Sequence, residues 1–161
     1  MQEKVVNSEY AGELLVCTFA LGENGVFGID ATLVQEVAMM GELTPVRHAP
    51  AFVAGIRNLR GRIITVIDLC ERLGLGVVRA TPETRLLIAD WNGEPVGLLV
   101  DRVEGTLAME AGALQRAPSN ISNVQSEKLR GVFRTGHGLA GLLHLPSVLD
   151  GNSGSDTSLA E

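Results

Sequence analysis

Aromatic side chains are scarce: phenylalanine, tyrosine and tryptophan make up 4% of the 161 residues, with a single tryptophan, Trp91. Proteins that hold single-stranded nucleic acid stack bases on such rings, so that platform is missing. The charge is missing too. Thirteen lysines and arginines face 19 aspartates and glutamates, a net charge of −6, whereas affinity for nucleic acid comes largely from cations on phosphates. No apolar run approaches the ~20 residues of a membrane-spanning helix. Met1 to Glu13 carries Glu3, Glu9 and Glu13 and lacks the apolar centre of a secretory signal. The expectation is a soluble cytoplasmic protein with no nucleic acid partner and no insertion into the membrane.

Cysteine is nearly absent as well. Cys17 and Cys70 are the only two, and in a reducing compartment they read as small core residues. His48, His137 and His144 have no second histidine at ligand spacing, and there is no Cys-x-x-Cys, so no metal is expected. No G-x-S-x-G elbow occurs. Gly136 to Gly141 fits G-x-G-x-x-G literally, but an apolar, strand-like run follows and Pro146 interrupts it, so a hairpin turn is expected and not a dinucleotide site. Asp30, Asp68, Asp90 and Asp101 stand at the ends of apolar runs, where caps and turns place them. Catalytic residues and cofactors are therefore not expected. On residues alone two rival classes stay open, an oligonucleotide-binding barrel and an enzyme with an unrecognised site.

What is present is a pattern of short apolar runs separated by glycine turns. Leu14–Leu21 and Val26–Ile29 read as two strands around Gly22-Glu23-Asn24-Gly25. Asp30 is a helix N-cap, and Leu33, Val34 and Val37 predict a short helix to about Met39. Leu43–Val46 is extended, and Pro50–Ala54 fits a single helical turn. Gly55 to Arg62 packs Gly55, Arg57, Asn58, Arg60, Gly61 and Arg62 into a loop that leads into a buried strand, Ile63–Leu69. Asp68 and Glu71 resemble a capping box for a short helix ending near Gly74 or Gly76. Arg85–Asp90 and Pro95–Val100 flank another turn at Trp91–Glu94, and Gly138–Leu145 is a further apolar run.

The second half repeats the plan of the first. Each half has an apolar run, a glycine turn, and a second run with one internal glycine, Gly28 or Gly97, that ends on an aspartate. Gly138–Leu145 then matches Ile63–Leu69. The correspondences lie roughly 70 to 80 positions apart, too long for a solenoid repeat. The expected fold is mainly β: two small β-barrel lobes packed together with short helices. The lobes are expected at about 13–80 and 81–150, with a flexible start at 1–12 and a disordered tail at 151–161. The arginine loop is the candidate partner-binding element. Two glycines frame it, and a guanidinium suits carboxylate recognition and interface hot spots.

Pro50-Ala51-Phe52-Val53-Ala54-Gly55, Asn58-Leu59-Arg60-Gly61-Arg62 and Val66-Ile67-Asp68-Leu69 together resemble the signature of the CheW-like domain family, the chemotaxis coupling proteins. The resemblance takes in Gly28-Ile29-Asp30, Val34-Gln35-Glu36-Val37 and Val96 to Val103, and covers about Leu14 to Leu149. Thr65 departs from it, standing where the family usually has proline. The resemblance implies two SH3-like five-stranded barrels and no catalytic activity. It implies two partners in receptor arrays: the cytoplasmic tips of methyl-accepting chemoreceptors and the regulatory domain of the histidine kinase CheA. It also implies receptor-coupling roles for Val34, Glu36, Gly55, Asn58, Arg60 and Gly61, with Glu36 and Arg60 paired. Gly97 and Arg62 are possible further coupling positions.

Overall fold

The computed structural model describes residues 12–150, with Asn123 described by its backbone alone. Apart from Gly12, the expected flexible start and the expected tail lie outside those residues. The first hairpin forms as the glycine turn dictates: β1 (Glu13–Leu21) pairs antiparallel with β2 (Gly25–Asp30), Phe19 opposite Phe27. Gly22 takes a positive φ of 69° at the turn. Asp30 is a cap, its Oδ1 accepting from Thr32 N at 2.9 Å and Thr32 Oγ1 at 2.7 Å. It caps only a 3₁₀ turn, Ala31–Leu33.

The helix expected through Met39 is a strand instead, β3 (Val34–Met39). Leu33, Val34 and Val37 fit either period, but Val37, Ala38 and Met39 alternate exposed, buried, exposed, as strand residues do. Pro50 opens a turn closed by Val53 N to Pro50 O at 2.9 Å, not a helical turn. β4 (Val53–Leu59) follows directly, so Gly55 to Leu59 is strand and not loop. Only Arg60 and Gly61 lie outside strand, with φ of 54° and 86°, as a two-residue hairpin turn of the primed type requires. β5 (Arg62–Asp68) is not buried throughout: Ile64 and Val66–Asp68 are buried, whereas Ile63 is 60% exposed. Asp68 caps α1 (Leu69–Arg72), accepting from Glu71 N at 3.1 Å, and its other oxygen accepts from Val78 N at 3.0 Å.

After that connector come β6 (Arg85–Trp91), β7 (Glu94–Val100) and β8 (Arg102–Glu110), then α2 (Asn123–Ser126), β9 (Leu129–Thr135), β10 (Gly138–Leu143) and α3 (Leu145–Leu149). Beyond Val103 and before Gly138 the sequence reading assigned no strand. β8 nevertheless alternates as a strand does, with Val103, Leu107 and Met109 half-buried and Glu104, Thr106 and Ala108 exposed.

The strands form two five-stranded sheets, β8-β1-β2-β10-β9 and β3-β6-β7-β5-β4. Each contains one parallel pair, β2 with β10 and β5 with β7. Neither sheet closes strand to strand, but each seam is stitched. Thr44, beyond β3, exchanges bonds with Ile56 of β4 at 2.9 and 2.8 Å. Gln115, beyond β8, exchanges bonds with Val132 of β9 at 2.8 Å in both directions. The result is two SH3-like lobes.

The expected lobe boundary near residue 80 is corrected by this topology. Residue 80 separates the two repeats, not the two lobes. Each repeat gives its hairpin to one lobe and its next three strands to the other, because β2 and β7 each run on across the junction. The register repeats in detail. Gln35 bulges from β3 between Val34–Ala89 and Glu36–Ile88, and Glu104 bulges from β8 between Val103–Phe19 and Gly105–Thr18.

Three buried clusters follow from two curled sheets stacked face to face. Ile64, Val66, Leu86 and Ile88 fill one lobe, and Val16, Phe133, Ala140 and Leu142 the other. The largest cluster lies between them: Phe19, Leu21 and Ile29 meet Leu87, Leu98 and Val100, with Leu69 and Leu73 from α1 and its C-cap and Leu145 and Val148 from α3. Each such side chain contributes about 1.5–3 kcal/mol on full burial. A polar strut adds to this junction. Asp101 Oδ2 accepts from Gly22 N at 2.8 Å and from the Cys70 thiol at 3.4 Å. Burial, and then the Asp101 carboxylate, push the Cys70 thiol up to about 12.

Two predictions come from this packing. A Cβ on Gly55 would stand 2.6 Å from Thr44 O, and one on Gly131 would stand 2.5 Å from Gln115 O, both rigid backbone at the stitched seams. On Gly97 the nearest atom is 3.5 Å away. In thermal melts Gly55→Ala and Gly131→Ala are expected to lower Tm by roughly 3–10 °C, and Gly97→Ala by no more than about 2 °C. The second concerns pH. Because Cys70 holds its proton more tightly folded than unfolded, that preference for the native state is complete below the ordinary thiol value of 9.0 and fades as pH rises toward 12. Denaturant titrations between about pH 8 and about pH 10 should show wild type losing stability more steeply than Cys70→Ala. At about pH 8 the native Cys70 thiol should resist alkylation.

Candidate partner-binding surface

The arginine turn is a product of local backbone chemistry. Asn58 Oδ1 accepts from Gly61 N at 2.9 Å and so pins the tip of the β4–β5 hairpin. With the backbone held at positive φ, Arg60 projects outward, its side chain 67% exposed, and its Nη2 meets Glu36 Oε1 in an ion pair. Glu36 reaches it from β3, the first strand of the sheet, while Arg60 extends from the hairpin of β4, the last. The pair therefore spans the same seam that Thr44 and Ile56 stitch. Arg57 braces the seam from β4, donating from Nη1 to Asn58 O at 2.8 Å with its Nε 3.4 Å from Met39 O.

The eight residues singled out in the sequence thus fall into groups. Glu36, Asn58, Arg60 and Gly61 come together at the hairpin tip. Val34 lies across the Gln35 bulge from Glu36 and packs against the inter-lobe core. Gly55 is buried in the seam, where Thr44 leaves no room for a side chain. Gly97 is buried in β7 against Val66, Ile64 and Ile88, inside the lobe. Arg62 is exposed, and its side chain makes no hydrogen bond or ion pair among the described residues. The glycine-rich motif at Gly136 lies in the β9–β10 turn and in β10 itself, with His137 N donating to Thr135 Oγ1 at 3.0 Å. Among the described residues no group of three or more His, Cys, Asp or Glu is placed to hold a metal ion, and no helix is long and apolar enough to cross a membrane.

The second lobe is an internal control for this surface. Superposing the repeats by register places Gly131 on Gly55, with the same close approach to backbone, and Gln115–Val132 on Thr44–Ile56. The same register places Gly105 on Glu36 and Gly136 on Arg60. One seam closes with glycines where the other carries an ion pair, so seam closure does not require the pair. Glu36 and Arg60 are additions specific to one lobe.

The sequence reading missed a second feature. Ile63, Thr65 and Ile67 alternate along one face of β5, and successive residues of that face stand about 6.8 Å apart. The face starts at the exposed Ile63 beside the Arg60 turn. It ends in a cleft of about 370 Å³ lined by Thr65, Ile67, Trp91, Pro95, Val96 and Leu149. On the other side of Trp91 a cleft of about 390 Å³ is lined by Leu33, Asp90, Leu143 and Pro146 among others. The one tryptophan of an aromatic-poor chain, placed beside an Asn-Gly turn, was the available signal.

Comparison with known proteins places this arrangement. The profile of the CheW-like domain matches residues 15–152. The chain is 32% identical over 122 residues to a chemotaxis protein CheW of Rhizobium meliloti, covering 76% of this chain and 79% of that one. It is 33% identical over 137 residues to a chemotaxis protein CheW of Treponema pallidum, covering 81% and 77%. Among solved structures, the scaffolding protein TtCheW from Thermoanaerobacter tengcongensis superposes with a TM-score of 0.78 at 27% identity, covering 92% of this chain and 96% of that one. Two five-stranded sheets, their strand exchange and the matched length agree: the chain belongs to the CheW-like domain family and is a coupling adaptor of chemotaxis signalling.

Proposed function

We propose that this adaptor links the cytoplasmic tips of methyl-accepting chemotaxis receptors to the regulatory domain of the histidine kinase CheA. It does so without catalysing a reaction, in the cytoplasm at receptor arrays. The observation that carries this reading is the Glu36–Arg60 pair, present on one lobe, absent from the equivalent place on the other, and set at the head of the Ile63–Ile67 strip. A receptor helix laid along this strip would place apolar side chains toward Ile63 and the Trp91 cleft and polar ones beside the ion pair, the arrangement that amphipathic helices use in grooves. Arg60 and Glu36 make the contact, and Asn58 and Gly61 hold the turn that presents Arg60. Val34 acts from the inter-lobe core against which it packs. Gly55 acts through the seam it keeps closed, while Arg62 adjusts local charge and Gly97 supports β5 from inside the lobe. The two lobes leave other surfaces of the sheets for the kinase domain. A receptor state with different affinity for the adaptor–kinase unit then shifts the kinase equilibrium.

The test separates binding from folding. An exposed ion pair adds at most about 1 kcal/mol to stability, so Arg60→Ala should lower Tm by no more than about 4 °C. Truncating a hot-spot arginine costs about 2 kcal/mol or more in binding, so co-sedimentation with a receptor-tip fragment should weaken by roughly 30-fold. Recruitment of CheA to the adaptor in the absence of receptor should be unchanged. Parallel losses in Tm and in receptor binding would remove the pair from the interface.

A further inference from the structure

Arg72 is a charged residue with 8% of its surface exposed, at the end of the short helix that continues β5. A buried guanidinium is costly unless its donors are met. Here Nε donates to Val148 O at 2.8 Å and Nη2 to Asp150 O at 2.7 Å. The flat face of the guanidinium lies over Phe52, 4.0 Å from the ring centroid. The two carbonyls belong to the last turn of α3, where a helix leaves acceptors without partners of its own.

The repeat again supplies the comparison. α1 and α3 are equivalent elements, each following the strand of its repeat that pairs in parallel. The end of α1 is closed by its own chain: Leu75 N donates to Cys70 O at 2.7 Å, with Gly74 at a φ of 75°. The end of α3 is closed by Asp150 N donating to Pro146 O at 2.7 Å and, in addition, from another element by Arg72. By the same register the residue equivalent to Arg72 in α3 is Val148, so the fold builds this helix once without an arginine. The arginine is therefore there for what it holds. It holds α3, whose Leu149 forms one wall of the Trp91 cleft, to the element that continues β5, whose Thr65 and Ile67 form another.

We propose that Arg72 is a positioning residue for the partner-binding cleft: by capping α3 from α1 it sets the distance between the Leu149 wall and the β5 wall. This rests on the reading that the cleft takes a partner helix. It assigns Arg72 no contact with that partner.

The test uses the full chain, with Arg72→Lys, Leu149→Ala and the double variant. Lysine keeps the charge but lacks the planar fork that reaches two carbonyls and stacks on a ring. Three quantities are read: Tm, the emission of Trp91 without any partner, and affinity for a coiled-coil fragment of a receptor's cytoplasmic tip. Arg72→Lys is expected to shift Trp91 emission to longer wavelength and to weaken the fragment about tenfold, and the double variant to bind no more weakly than Leu149→Ala alone, because both changes act on one wall. Losses that add, or an emission unchanged by Arg72→Lys, would overturn the proposal. Should Arg72→Lys fail to fold, Phe52→Leu removes the ring beneath the guanidinium. It is expected to shift the emission in the same direction, and an unchanged emission there overturns the proposal equally. If the wild-type chain does not bind the fragment, the receptor reading fails, and the emission alone decides whether Arg72 positions the cleft.

Discussion

The buried seam between the two sheets governs everything else in this molecule, because neither sheet can be completed by one half of the chain. The β1–β2 hairpin finds its neighbours in β8 and β10, and the β6–β7 hairpin finds its neighbours in β3 and β5. Exchanging hairpins obliges the chain to cross the junction after β2 and again after β7. Phe19, Leu21, Ile29, Leu87, Leu98 and Val100 are buried where those crossings bring the sheets together. Pairings so distant in sequence make folding slow relative to a helical domain of the same size. They also make the lobes one cooperative unit, since unfolding either lobe takes strands from both repeats. The Asp101 strut to Gly22 and Cys70 lies on one of the crossings and fixes it with polar contacts.

A duplicated architecture separates what the fold demands from what function adds. Features that recur at equivalent positions serve the fold: the bulges at Gln35 and Glu104, the seam glycines Gly55 and Gly131, and the stitches at Thr44 and Gln115. Features on one side only are available for recognition or for asymmetry in the molecule. Glu36, Arg60 and Arg72 are such features: Arg60 stands just before β5, Glu36 pairs with it, and Arg72 lies in α1, which continues β5. Gly55 illustrates the value of the distinction. Its place in a recognisable motif invites a direct role at the surface, yet its twin Gly131 faces the same steric demand in a lobe without the ion pair.

Much of the fold was legible in the sequence for identifiable reasons. The glycine turns at Gly22 and Gly93 mark hairpins, Asp30 and Asp68 sit where caps belong, and the internal similarity between the halves is genuine. The misreadings are equally specific. Leu33, Val34 and Val37 satisfy a helical and an extended period at once, and only pairing with β6 decides between them. Gly55 to Leu59 looked like a loop because a seam strand carries a glycine for close approach and polar residues toward solvent. The exchange of hairpins leaves no trace in local sequence, since each hairpin has the same pattern whichever sheet it joins. Of the site, composition and spacing indicated an arginine-bearing element, and resemblance alone selected Glu36 and Arg60. The Trp91 cleft and the Arg72 cap are made by residues far apart in the chain, so no window of sequence contains them.

These constraints bear on how such an adaptor can work. β5 begins beside the Arg60 turn, exposes Ile63 and Thr65, places the buried Ile67 at the cleft, and continues into α1, which is buried in the junction between the lobes. A strand held between β4 and β7 has no free edge along which to slide, and close-packed interiors such as this junction do not deform gradually. If the proposed strip on this strand takes a partner helix, so constrained a strand is suited to relay the position of that helix as a rigid body. Under the proposed receptor linkage, affinity differences between receptor states, and not refolding of the adaptor, would carry the signal. Flexibility at the strip would dissipate that difference, which gives a physical reason for a buried arginine to fasten α3 to the end of the same strand.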